Sequence, residues 1–267
     1  MNSSNEVRLK IIREKPSVVV LTPTTGAPVL EDAIESVLSQ DYTGKLHHHI
    51  VIDGQENNRE YFLRQRIFEK HEKFECIKHT YLYDNVGKNG FYGHRIYAAF
   101  PHLLNYDYIL FLDQDASYET NHVSMMIDSL IKNNWFFTYS LRKIFDRDGK
   151  YVCDDNCESL GEWPIEFLGR QDQHLIDTSC FGFERKFLID VCGHWHSGWG
   201  GDRRFFQIMT KQFGIKNFGT TMQHTVHYRL GGNENSPKAD MFLRGNEAME
   251  KKYGNALNFP WHNKAKP

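Results

Sequence analysis

The sequence predicts an α/β fold in which a central, mostly parallel mixed sheet carries helices on both faces. Three observations predict it. Short β-branched or apolar runs recur through the first half of the chain, at SVVVL (17–21), HIVI (49–52) and YILFL (108–112). Segments of helical periodicity separate them, and such alternation is the pattern of parallel strands joined by crossover helices. Three of these strands also end in polar residues: Thr22 and Thr24, Asp53, and Asp113 with Asp115. Parallel strands bring such ends to one edge, where open α/β sheets bind their ligands.

Taken in order, SVVVL is stopped by TPTTG (22–26), where Pro23 ends the ladder and Gly26 allows a turn closed to other residues. Pro28 suits the first turn of a helix. Leu30, Ala33, Ile34, Val37 and Leu38 then follow at helical spacing, giving an amphipathic helix that faces a sheet. HHHIVIDG (47–54) is a strand ending in Asp53 and Gly54. Alternate strand residues face opposite ways, so its three histidines mark a strand entrance rather than a metal cluster. A charged helix over 59–73, with Phe62, Ile67 and Phe68 as apolar points, leads to the strand-like KHTYLY (78–83). The glycine-rich loop DNVGKNGFYGHR (84–95) and the helical IYAAFPHLL (96–104) follow.

YILFLDQDASY (108–118) organises the chain. Its apolar run is too short for an independent helix and reads as a central strand buried on both faces. Asp113 and Asp115 stand at its end. Carboxylates at i and i+2 can turn toward one hard cation, Mn²⁺ or Mg²⁺, whose shell phosphate oxygens and water complete. Beyond it, the loop-rich segment 146–170 reads as an excursion over the site. HWHSGWGGDRRFFQIM (194–209) opens with glycines and becomes a helix with Phe205, Phe206 and Met209 on one side. Asp202 lies in its first turn, where the helix dipole favours a carboxylate. TTMQHTVHYRLGG (220–232) puts His224 and His227 on a strand-like stretch, and the tail from Asn233 is either a lid or loose.

Composition narrows the function. A formal net charge of -2 supplies no global basic field and disfavours nucleic acid as a partner. Five cysteines, an odd number behind a polar N-terminus without an apolar leader core, predict reduced thiols in a cytoplasmic protein. Cys153 and Cys157 form a C-x3-C pair with no second pair, a weak zinc signal. No apolar stretch reaches membrane-span length, which leaves peripheral membrane contact as the available kind. An aromatic content of 14% suits a sugar-handling cleft as well as a filled core, and Trp163, Trp195 and Trp199 are the tryptophans able to stack on a sugar.

In order and spacing, SVVVLTPTTG, LEDAIESVLSQDY, VIDG, DNVG, ILFLDQD, IDTSCFGFERKFL and WGGDRRF resemble the family 2 glycosyltransferases of the GT-A fold, over about 17–229. The resemblance implies a single Rossmann-like domain. About 17–118 would bind a nucleotide sugar, about 119–232 would bind the acceptor, and 233–267 would be a tail or lid. It places Thr22, Pro23, Thr24 and Asp53 at the nucleobase, and Asn85, Gly87 and Arg95 at the base and ribose. Asp113 and Asp115 would meet ribose and the metal–diphosphate, Asp202 would be the catalytic base, and His224 or His227 would complete the metal shell. Trp163, Trp199 and Gly201 fall to the acceptor side. The implied reaction moves a sugar, with inversion, from a UDP-like donor to a hydroxyl of a glycan or glycolipid, with Mn²⁺ or Mg²⁺ as cofactor.

Three features depart from the family pattern: a longer 85–95 loop, Gly201 where a glutamate commonly precedes the base, and the 146–170 excursion. Double displacement would need another carboxylate, for which Asp177 and Glu184 are the candidates. A sugar-1-phosphate nucleotidyltransferase is the first alternative, but TPTTGAPVLED (22–32) lacks the Lys or Arg of a phosphate loop. A non-catalytic nucleotide-sugar-binding module is the second, and the presence of both Asp115 and Asp202 speaks against it.

Overall fold

The computed structural model describes residues 15–54, 73–165, 173–232 and 237–262. The helix expected over 59–73 lies, but for its last residue, outside them. The parallel half of the sheet contains β1 (Val18–Thr24), β2 (Leu46–Ile52), β3 (Ile77–Tyr81) and β4 (Tyr108–Phe111). β1 is central and buried along its whole length, pairing in parallel with β2 on one side and β4 on the other, while β3 lies outside β2. Pro23 does not end β1, as the sequence suggested. The β4 pairing stops at Leu21–Phe111 while the β2 pairing runs on to Thr24–Ile52. The missing N–H of Pro23 falls on the side where the ladder is already open.

The other half is mixed. It contains β5 (Ala116–Tyr118), β6 (Phe137–Phe145), β7 (Tyr151–Asp154), β8 (Phe181–Glu184) and β9 (Phe218–Arg229). β8 runs antiparallel between β4 and β6, β9 is parallel to β6, β5 closes the edge against β9, and β7 folds back on β6. The full order is β3-β2-β1-β4-β8-β6-β9-β5. The expected mixed sheet with a parallel core is therefore present, and the strand ends meet along one rim in a definite sequence.

Helices α1 (Leu30–Leu38), α2 (His94–Ala99), α3 (His122–Asn133), α4 (Arg185–Val191), α5 (Gly201–Gln207) and α6 (Ala239–Tyr253) pack around this sheet. α1 buries Leu30, Ala33, Ile34 and Val37, the face expected from its periodicity. Each Leu, Ile or Val so buried contributes about 1.5–3 kcal/mol. In α3, Val123, Met126, Ile127 and Leu130 do the same. Of the tail, residues 237–262 are described: Pro237 and Met241 line the rim cleft, and the rest packs on the body of the molecule. Phe259 and Trp261 are buried, Trp261 Nε1 donates to Asn156 Oδ1 at 2.8 Å, and Asn246 Nδ2 in α6 donates to the Asp154 carbonyl at 2.7 Å. The tail thereby clamps the segment after β7, whose residues 155–160 are buried rather than arching over the surface. Among the described residues no helix is long and apolar enough to cross a membrane.

Candidate active site

A cleft of about 530 Å³ opens along the rim. Each strand end contributes to it in sheet order: Asn85 after β3, Asp53 after β2, Pro23 and Thr24 from β1, Asp113 and Asp115 after β4, Asp177 before β8, Arg142 within β6 and Tyr228 within β9. Asp202 and Trp199, from the α5 entrance, form the facing wall.

At one end, Asp53 accepts from the backbone N–H of Val86 at 2.7 Å and of Gly87 at 2.8 Å, fastening the 85–93 loop to the tip of β2. Gly87 is required there, because a Cβ would collide with the Tyr92 carbonyl and lie 2.8 Å from Asp53 Oδ2. Burial pushes the Asp53 carboxyl upward, against the pull of those two amides. Asn85 Oδ1 is buried without a hydrogen-bond partner. Thr24 Oγ1 donates to Gln114 Oε1 at 2.6 Å, linking β1 to the turn between the two aspartates.

In the middle, Asp113 accepts from the Tyr97 hydroxyl at 2.9 Å, and its backbone N–H is held by Ser179 Oγ at 3.0 Å. Burial, then the charges of Asp115 and Asp177, push the Asp113 carboxyl well above the usual carboxylate range. Asp115 is raised by burial and by Asp177. The Gly231–Gly232 turn backs onto it so closely that a side chain at Gly232 would strike the Asp115 carboxylate. Asp202 is raised by burial and again by Asp177, while its Oδ1 accepts from the Arg203 N–H at 2.7 Å. Asp113, Asp115 and Asp202 thus share one low-dielectric space, in which Arg229 offsets the charge of Asp115, and Arg203 that of Asp202, only in part.

Beyond them stands a group that sequence reasoning missed. Arg142 is 2% exposed, and each of its three nitrogens donates to a carboxylate: Nε to Asp155 at 2.8 Å, Nη2 to Glu158 at 2.6 Å and Nη1 to Asp177 at 2.5 Å. The Tyr228 ring lies over the guanidinium at 4.3 Å. Burial works against its charge, yet the three carboxylates hold the guanidinium well above its usual pKa; Asp155, though burial raises it, is drawn below the usual carboxylate value by Arg142 and by the Ser159 and Cys157 N–H groups. A signal was present. Arg142 and Lys143 are adjacent in an otherwise uncharged strand, and alternation obliges one of them to face inward.

Several expected site residues do not reach the cleft. Thr22 is buried against His48, with Oγ1 and Nε2 2.8 Å apart. Arg95 donates to the Val86 carbonyl at 3.0 Å and lies 3.4 Å over the Phe91 ring, so it braces the loop from behind. His227 bonds Glu119 at 2.8 Å, and His224 packs edge-on to His262 at 5.9 Å. Three residues apart on β9, the two are drawn to different sides and neither lines the cleft. Trp163 packs on Trp261 at 5.7 Å, and Trp195 is fully buried, so Trp199 is the member of that trio on the cleft wall. Gly201 offers no acceptor contact: it is buried, and a Cβ would lie 2.5 Å from His94 Nδ1. A glutamate at this position would have to displace His94 and Ser197. Glu184 pairs with Tyr108 at the start of β4, a strand length from Asp113, whereas Asp177 lines the cleft. Cys153 and Cys157 are free, and among the described residues no three His, Cys, Asp or Glu side chains are grouped to hold a metal ion.

Known proteins agree with this architecture. The model of the family described as "Glycosyl transferase family 2" matches residues 17–192, from the start of β1 to the end of α4. The chain belongs to that family. Among solved structures, TarS 1–349 of S. aureus superposes with a TM-score of 0.58 at 14% identity, over 80% of this chain and 60% of that one. Its complex with UDP-GlcNAc gives a TM-score of 0.60 at 13% identity, over 90% and 67%, and its complex with UDP gives 0.58 over 94% and 75%. The family 2 chain spans only 46% of the longer TarS structure. At such identity the likeness establishes the fold. No curated protein matches the chain by sequence.

Proposed function

We propose that this family 2 chain transfers a sugar from a nucleoside diphosphate donor, UDP-linked in the favoured case, to an acceptor hydroxyl on a glycan or glycolipid, with inversion at the anomeric carbon. The observation that carries the reading is the rim order. Asn85 and Asp53 come first, the Asp113/Asp115 pair second, and a separate carboxylate, Asp202 at the start of α5, lines the same cleft. The complexes of TarS with UDP and UDP-GlcNAc support a donor of this kind.

The donor set suits a hard divalent cation. Two buried carboxylates whose ionisation is opposed by burial and mutual repulsion gain from a positive charge between them, and phosphate and water can supply the remaining ligands. When bound, Mn²⁺ or Mg²⁺ would act as a Lewis acid toward the departing diphosphate. Tyr97 and Ser179 hold Asp113 in place for that role. Asp202 is positioned to take the proton of the attacking hydroxyl, and its raised pKa brings it closer to the operating pH of a general base. Asp177 is a poor nucleophile, because Arg142 holds its Oδ2 and the Ser179 N–H holds its Oδ1. That arrangement favours one displacement over two.

Calorimetric titration with UDP, with and without Mn²⁺, tests donor binding and the metal requirement together. NMR of the transfer product reads the anomer. Absence of UDP binding under both conditions would overturn the proposal.

A further inference from the structure

His94, at the start of α2, stands in the space that a side chain at position 201 would fill: a Cβ there would lie 2.5 Å from its Nδ1 and 2.6 Å from its Cε1. Asp202 follows Gly201 in the chain, and His94 and Asp202 line the same cleft. We propose that His94 binds the acceptor: its Nε2 takes a hydrogen bond from a hydroxyl vicinal to the attacking one, so the acceptor is a vicinal diol, as in a sugar or a polyol. The inference rests on the glycosyl-transfer reading above and deepens it by naming the group that the acceptor must carry.

The hydrogen bonding of the ring carries it. Nδ1 lies 2.7 Å from the Ser197 carbonyl oxygen, which can only accept, so Nδ1 bears the proton and the neutral ring keeps a lone pair on Nε2. Nε2 has no partner among the described residues, and it is not one of the polar atoms sealed from solvent without one. In a residue that lines the cleft, that lone pair is left for a ligand. The Ser197 bond, Trp195 at 5.7 Å and Tyr92 at 6.2 Å hold the ring in place. The ring also lies close enough to draw the Asp202 carboxyl down, after burial and Asp177 have raised it. Arg203 and Lys88 line the cleft too, but they only donate and cannot receive a hydroxyl proton. A carboxylate and an imidazole nitrogen on one stretch of wall therefore ask two protons of the incoming molecule. In the displacement the attacking oxygen bonds to the anomeric carbon, and the bond from that carbon to the diphosphate oxygen breaks with its electron pair leaving on UDP. The hydroxyl proton goes to Asp202. A lone hydroxyl then has nothing to give Nε2, whereas the neighbouring hydroxyl of a diol has.

Competition between ethylene glycol and methanol at equal molarity isolates the second hydroxyl. UDP-GlcNAc, UDP-glucose and UDP-galactose are each incubated with the chain, Mn²⁺ and both alcohols; NMR reads the glycosides, and calorimetry reads UDP binding. The expected result is glycol glycoside in about 10-fold excess over methyl glycoside, the worth of one added hydrogen bond, against the roughly twofold excess that two hydroxyls give by chance. His94→Asn keeps a donor near the place of Nδ1 for Ser197 but loses Nε2. It should bring the ratio down to the chance level, with UDP affinity within about threefold of the unaltered chain. His94→Gln sets an amide near the place of Nε2 and should retain the excess; a ring that served only to brace Ser197 would reverse that order. If neither variant folds, the ratio on the unaltered chain decides alone. A ratio at the chance level in the unaltered chain, an excess that survives His94→Asn, or UDP binding with no glycol glycoside from any of the three donors overturns the diol site and leaves the nucleotide-sugar reading standing. Failure of UDP itself to bind removes both.

Discussion

Along the β2–β4 stretch of the rim, Asp53 is fastened by two backbone N–H groups supplied by a neighbouring loop. Along the β8–β6 stretch, Asp177 is fastened by the guanidinium of Arg142, which it shares with Asp155 and Glu158. Both devices hold a buried carboxylate, but they fail differently. Backbone amides survive every substitution except proline and carry no net charge, so apart from Gly87 the first stretch tolerates side-chain changes and leaves lone pairs for a ligand. The second depends on one side chain. Its loss would take the shared guanidinium from three buried carboxylates, and removing one partner of a buried pair is far costlier than the pair's net worth. The geometry at the Asp53 end is thus separable from stability, and at the Arg142 end it is not.

The largest expected effect lies between the two stretches. Asp202→Asn should lower kcat by about 10³-fold, the range for loss of a general base, with UDP affinity within about threefold of the unaltered chain. Steady-state kinetics beside calorimetry checks it, and near-normal turnover would remove Asp202 from its role. Next, Arg142→Met should destabilise the fold by about 3–5 kcal/mol in urea denaturation, whereas Thr24→Val at the other end should cost only about 1 kcal/mol. Equal costs would erase the contrast.

The third test uses pH. His48 and His122 are fully buried, and burial pushes each down to about 3. In the unfolded chain each takes up a proton near pH 6.5 and in the folded chain only near 3. The stability they contribute is therefore full above about pH 6.5 and lost as pH falls toward 3, by up to about 1.4 kcal/mol per pH unit for each histidine. His48→Asn should flatten the stability–pH slope over that window. Because His48 touches Thr22 behind the rim rather than in the cleft, UDP affinity at pH 7.5 should change little. Finally, Gly201→Glu should cost about 1–3 kcal/mol through its collision with His94, and His94→Ala should restore part of that loss. A fully stable single variant would show that the α5 entrance has room for the glutamate.

The parallel half was legible from residue order because its information is local. An apolar run, a polar terminus and a helix of matching period are each written in a few consecutive residues, and parallel pairing turns those termini into one rim. Asp53, Asn85, Gly87, Asp113, Asp115 and Asp202 were accordingly placed at the cleft by spacing and resemblance. Arg95, His224 and His227 were not, since a side chain's direction depends on which neighbour offers it a better partner: the Val86 carbonyl, His262 and Glu119. In the stretch 119–145, with α3 and β6, the local signal was the adjacent Arg142 and Lys143 alone, which told that one of them faces inward but not what it meets. The partners of Arg142 lie 13, 16 and 35 residues away, separated by a strand turn and a buried loop.

By itself, then, the chain's order of apolar and acidic residues determined the sheet, its α1 packing face and the presence of an acidic pair at a strand end, because these follow from periodicity and backbone sterics. Only tertiary structure decided that an arginine in β6 ties Glu158 and Asp177 of the cleft wall to the buried Asp155, that a side chain at position 201 meets His94, and that neither β9 histidine lines the main cleft. Those outcomes hinge on desolvation and contact between segments distant in sequence, and no short window of residues encodes either.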